Sequence, residues 1–72
     1  MSGPSIKADR EAKGIKQMTL AAYAEIYQAD LSAFEAGRRP LNEEKVQKLM
    51  EGLEVIPLLT HERLVELDAA AR

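Results

Sequence analysis

The side chains able to do chemistry in this chain are amides and cations suited to recognition, with none of the groupings that catalysis or metal binding requires. There is no cysteine and a single histidine, His61, whereas a structural zinc site wants about four ligands, mostly Cys or His. Ser32 and His61 lie far apart in sequence, and no glycine loop suited to cradling phosphate is present. No enzyme, metal or cofactor is therefore expected. The pairs Lys16-Gln17 and Arg38-Arg39 remain. Their chemistry is neutralising and hydrogen-bonding an oxyanion.

The net charge of −2 conceals an uneven distribution. Residues 1–40 carry six basic and five acidic side chains, and residues 41–72 carry four and seven. An anionic partner should meet the first half. Of the 72 residues, 46% are hydrophobic, but 11 of these are alanine, leaving 22 larger apolar side chains for a core. A single domain of this size buries only about 60% of its unfolded surface. With disulfides excluded, tight helix packing or oligomerisation must brace it. No apolar run reaches the roughly 20 residues that span a bilayer, and the N-terminus lacks a signal-peptide pattern. A cytoplasmic protein without membrane contact is expected.

Glycine and proline fall at positions 3, 4, 14, 37, 40, 52 and 57, between stretches rich in Ala, Leu, Glu, Lys and Gln. This is helical punctuation, and no segment alternates apolar with polar residues as a strand would. The fold class is all-α, a compact bundle of about five short helices. The first runs from an N-cap at Ser5 to Lys13, with Gly14 as its left-handed stop. The second covers about Gln17 to Ala24, burying Leu20, Ala21 and Ala24, and the third about Gln28 to Ala36, burying Leu31 and Phe34. Asn42 caps a fourth helix with Glu43 and Glu44 in its first turn; its buried stripe is Val46, Leu49, Met50 and Leu53, where it ends. After Pro57 a last helix begins near Leu58 or Thr60.

Two short helices joined by a tight turn form a helix-turn-helix candidate on geometry alone. The segment QMTLAAYAEIYQADLSAFEAGRRP sharpens this, because it resembles the phage repressor and Cro class of helix-turn-helix proteins, the XRE family, over residues 6–55. The resemblance rests on Gln17 opening the second helix, Leu20-Ala21 three residues later, Ile26 in the turn, then Leu31, Phe34, Glu35 and Gly37. It implies a lambda-repressor-like single domain over residues 1–72, and a buried ion pair between Arg10 and Glu35.

The resemblance also implies a reading helix that offers Gln28, Ala29, Ser32 and Ala33 to the major groove of double-stranded DNA. Gln28 can bond adenine N6 and N7 together, and either alanine can touch a thymine methyl. Lys16, Gln17, Tyr27, Arg38 and Arg39 are the expected phosphate contacts. Two positions depart from the family pattern: Glu25 and Glu54 stand where glycine is usual, so strained or reshaped turns are expected at both. Asp30, inside the reading helix, would repel phosphate.

The expected function is operator binding as a homodimer by a transcriptional regulator of phage or prophage type. Residues 58–70 are the expected dimerisation element, through Leu58, Leu59, Leu64, Val65 and Leu67. The alternative is an antirepressor that uses the same scaffold to bind a cognate repressor protein through Ala29, Ala33 and Ala36.

Overall fold

Three of the five described helices start where a side chain accepts from a first-turn amide, and the first three stop where the backbone turns left-handed. The computed structural model describes residues 1–71; Arg72 of the expected domain lies outside the described residues. In chain order the elements are α1 (Gly3–Ala12), α2 (Gln17–Tyr23), α3 (Gln28–Glu35), α4 (Glu43–Val55) and α5 (His61–Ala69), with a 3-10 turn at Ile56–Leu58 between the last two. No strand occurs among the described residues. The all-α expectation holds.

The fourth helix is capped as expected, Asn42 Oδ1 accepting from the Lys45 amide at 2.8 Å. The first is not. Ser2, rather than Ser5, is its N-cap, and Ser2 Oγ accepts from the Ser5 amide at 3.2 Å. Pro4 then sits in the first turn, where its missing N–H costs nothing. The longer helix brings Gly3 against α3. A β-carbon at Gly3 would lie 1.8 Å from the Phe34 carbonyl oxygen, so only glycine lets these two backbones meet.

Helices α1, α2 and α3 end in the same hydrogen-bonded turn. After α1, Gly14 N–H bonds to Glu11 O and Ile15 N–H to Arg10 O; after α2, Glu25 N–H bonds to Ala22 O and Ile26 N–H to Ala21 O; after α3, Gly37 N–H bonds to Phe34 O and Arg38 N–H to Ala33 O. This is the Schellman pattern, which requires a left-handed residue at its corner. The corner residues have φ of +68° at Gly14, +57° at Glu25 and +74° at Gly37. The expectation at Glu25 is met. That at Glu54 is not: α4 continues through it to Val55, past the expected end at Leu53. The chain turns in the 3-10 segment around Pro57 instead, and no left-handed residue is required.

Ile6, Leu20, Leu31, Leu49 and Leu53 are the large side chains lost entirely to the interior, each stabilising the fold by roughly 1.5–3 kcal/mol relative to exposure. Ile15, Ile26, Phe34 and Ile56 complete the centre, with Val46 and Met50 of the expected α4 stripe packed at its margin. Helix α2 is the hub, touching α3, α4 and α5, while α1 packs on α3 and α4. Lys45 Nζ adds a bond of 3.2 Å to the Ala24 carbonyl, tying α4 to the end of α2. Helix α5 has no buried residue of its own. It lies on α2, with its Leu64 and Leu67, and Leu59 just before it, packed against the core.

Candidate nucleic-acid interface

The interface is built on one buried ion. Glu35, 3% exposed, receives Arg10 in a two-pronged bond, Nε to Oε2 at 2.8 Å and an Nη2 contact to Oε1 at 3.0 Å. Arg10 spends its remaining reach on the Ile15 carbonyl at 2.8 Å. The pair expected from the family resemblance is thus formed. It fastens the end of α3 to α1 and to the turn that leads into α2. A carboxylate and a guanidinium matched in this way satisfy each other, whereas either alone would be a costly buried charge.

The pair reaches the surface through two glutamines. Gln17 Nε2 donates to Glu35 Oε1 at 2.9 Å, and Gln28 Nε2 donates to Gln17 Oε1 at 3.3 Å. Gln17, half-buried, therefore holds Gln28 in place at the first position of α3. Gln28 is exposed and keeps its Oε1 and a second amide hydrogen. Those are the acceptor and donor that an adenine edge requires. The sequence expectation assigned Gln17 to phosphate and Gln28 to bases as separate tasks. The structure bonds the two side chains to each other.

Around Gln28, α3 shows Ala29 fully and Ser32 and Ala33 partly, with Ala36 exposed just beyond its end. These four residues carry no charge. Asp30 does not stand alone: its carboxylate is 3.6 Å from Arg39 Nη1, and it occupies the first turn of α3, where negative charge complements the helix dipole. Arg38 and Arg39 are both exposed in the loop after Gly37. Lys16 is the N-cap of α2 and is exposed. Tyr27, 59% exposed, precedes α3. Four of the five expected phosphate contacts are thus at the surface flanking the Gln28 face, with Gln17 the half-buried exception.

Two features here were not foreseen. Arg39 is shared with Asp30, and Lys16 faces Asp68 of α5 at 3.7 Å. The second joins residues too far apart in sequence for any local pattern to reveal. Of the expected dimer residues, Leu59, Leu64 and Leu67 pack on the core of their own chain, while Leu58 at 84% and Val65 at 53% are exposed. No group of acidic residues and histidine that could hold a metal occurs among the described residues, and no described helix is long and apolar enough to cross a membrane.

Comparison with known proteins bears on the same segment. A family model described as helix-turn-helix matches residues 6–59. Neither the curated proteins nor the solved structures yield a match.

Proposed function

Because the chain belongs to the XRE family of helix-turn-helix regulators, which bind DNA and control transcription, we propose that it is an operator-binding protein of the phage repressor and Cro type. The observation that carries this reading is the exposed Gln28 amide, positioned by Gln17 on the buried Arg10–Glu35 pair. A base reader that arrives with its rotamer already set binds more tightly, because ordering it at the moment of binding subtracts from affinity. Here the setting runs back to the core.

In this reading Gln28 bonds an adenine edge, Ala29 and Ala33 contact thymine methyls, and Ser32 lines the same groove. Lys16, Arg38 and Arg39 grip phosphates on either side, with Tyr27 beside the helix start. A single eight-residue helix reads too few bases to single out one site. The protein would therefore act as a homodimer placing two copies of α3 about 34 Å apart, one turn of DNA. Exposed Leu58 and Val65 favour an interface formed by the 3-10 turn and the outer side of α5, narrower than the full set of five apolar residues.

The test is binding to duplexes selected from a random pool, followed over a range of salt. Arg38→Ala should weaken binding to all sequences alike and lower the slope of log K against log salt by about one. Gln28→Ala should instead relax preference at one base position per half-site, by about 1–3 kcal/mol. Absence of binding to any duplex at low salt would overturn the proposal. Leu58→Asp with Val65→Asp should leave the fold intact and convert a dimer to monomer by light scattering.

A further inference from the structure

The acidic half of the chain meets the basic half beside the DNA-facing end of α2. Asp68, near the end of α5, is held by Thr19 of α2 and by Lys16, the N-cap of that helix. Thr19 Oγ1 donates to its Oδ1 at 2.5 Å, and Lys16 Nζ lies 3.7 Å from its Oδ2. Thr19 is 4% exposed, so the carboxylate is anchored to the protein body and does not swing freely in solvent. The Lys16 side chain is 72% exposed, against 27% for Asp68. Lys16 immediately precedes Gln17, the residue that positions Gln28.

We propose that Asp68 is an autoinhibitory counter-ion, a resident carboxylate that competes with the DNA backbone for Lys16 and thereby sets the affinity of the interface. The inference rests on the reading of Lys16 as a phosphate contact. A lysine that gains a phosphate and loses nothing contributes about 0.9 to the salt slope through released counterions. A lysine already neutralised by Asp68 exchanges one anion for another and contributes less. The Thr19 hydroxyl makes this persistent, because it keeps Asp68 beside Lys16 whether or not DNA is present. Coupling of this kind is reciprocal. DNA that captures Lys16 removes one of the ties on α5, a helix with no fully buried residue, whose other ties are Leu64, Leu67 and the Thr19 bond.

Asp30 and Arg39 form a similar pair at 3.6 Å, but Asp30 lies in the reading helix, where substitution also alters the groove surface. Asp68 offers the separable case. Asp68→Asn keeps an acceptor for Thr19 and removes the charge. Against a mixed-sequence duplex it should bind about three- to ten-fold tighter at low salt, with a slope steeper by about one. Lys16→Gln should bind more weakly than the parent and should erase the gain when combined with Asp68→Asn. Thr19→Val frees Asp68 from its anchor without changing charge and should give part of the same gain in affinity and slope.

If Asp68→Asn matches the parent in slope and affinity while Lys16→Gln binds more weakly, the counter-ion proposal is overturned and the phosphate contact stands. If Lys16→Gln itself changes nothing, the phosphate reading of Lys16 fails. Hydrogen exchange on the unsubstituted protein gives a readout independent of any variant. Saturating DNA should speed exchange of the α5 amides, and protection that stays constant or increases would count against the proposal.

Discussion

Replacing Glu25 with glycine should stabilise this protein by about 1 kcal/mol, although it deletes a side chain and adds no contact. The magnitude follows from three turns of the same construction, which differ in whether the corner residue bears a β-carbon. Gly14 and Gly37 sit at φ of +68° and +74°, and a β-carbon added to either would meet nothing within 4 Å. Their requirement for glycine is therefore one of backbone conformation, not of space. Glu25 adopts φ of +57° with a β-carbon present, which costs on the order of 1 kcal/mol relative to glycine. A 72-residue domain has a total stability of only about 4–11 kcal/mol. A gain of 1 kcal/mol should appear as a rise in Tm of about 4–8 °C. Urea denaturation followed by far-UV circular dichroism should show a higher midpoint at constant slope, the mark of a stability change in which the surface exposed on unfolding is preserved. Glu25→Ala separates charge from backbone. It keeps the strained corner, so it should stay within about 0.5 kcal/mol of the parent, while Gly14→Ala and Gly37→Ala should each lose about 1 kcal/mol. If Glu25→Gly is no more stable than Glu25→Ala, the cost does not reside in the left-handed backbone and the reasoning is wrong.

Other expectations concern the core, the helix junction and alkaline pH. Arg10→Met strands the Glu35 carboxylate inside the protein and should cost about 3–5 kcal/mol, with much of the loss recovered when Glu35→Leu is added; a denaturation cycle measures both. Gly3→Ala should be strongly destabilising despite its place near the terminus, because the added methyl meets the Phe34 carbonyl, and a circular-dichroism melt unchanged from the parent would disprove that close approach. Burial first, and then the Glu51 carboxylate, raise the Tyr23 phenol above its ordinary 10.0, with Lys48 acting in the opposite direction. Because the folded state holds this proton more tightly, the associated stability is present below pH 10 and is lost as pH rises through the folded-state value. Phenolate absorbance in a Tyr27→Phe background should titrate above 10.0, and Glu51→Gln should bring the midpoint down.

The parts of this architecture legible in the sequence are those governed by neighbours along the chain. Gly14, Gly37 and Asn42 announce helix ends because their roles depend on residues three or four positions away. Arg10 and Glu35 were legible for another reason, the resemblance to a family with a buried pair there. What escaped depends on distant partners. Ser2 caps α1, and Gly3 is buried, because α1 runs forward to meet the Phe34 carbonyl. Nothing near Gly3 in sequence indicates that. Asp68 and Thr19 join across 49 positions, and Asp68 reads in isolation as one more charge on a polar helix. In α5, Leu64 and Leu67 stand three apart and turn inward, while Val65 lies off that stripe and stays outside. Helical spacing separates these residues, and counting them together as one apolar group obscured it. At Glu54 the reverse occurred. A family habit suggested a turn, but glutamate continues a helix readily, and the bend passed to Pro57.

The residues that fasten α3, namely Leu31, Phe34 and Glu35, are distinct from the residues it displays, Gln28, Ala29, Ser32 and Ala33. Anchoring is written on one side of the helix and content on the other. Substitution on the displayed side should therefore change folding free energy by no more than about 0.5 kcal/mol at most positions. Gln28 differs in one respect, since its replacement also releases Gln17. If α3 reads DNA as proposed, a lineage carrying this scaffold can rewrite the sequence it addresses one residue at a time, each intermediate remaining a folded protein. For an engineer the same separation defines a library: randomise Ala29, Ser32 and Ala33, leave Arg10, Gln17 and Glu35 untouched, and select for a new address without screening for stability.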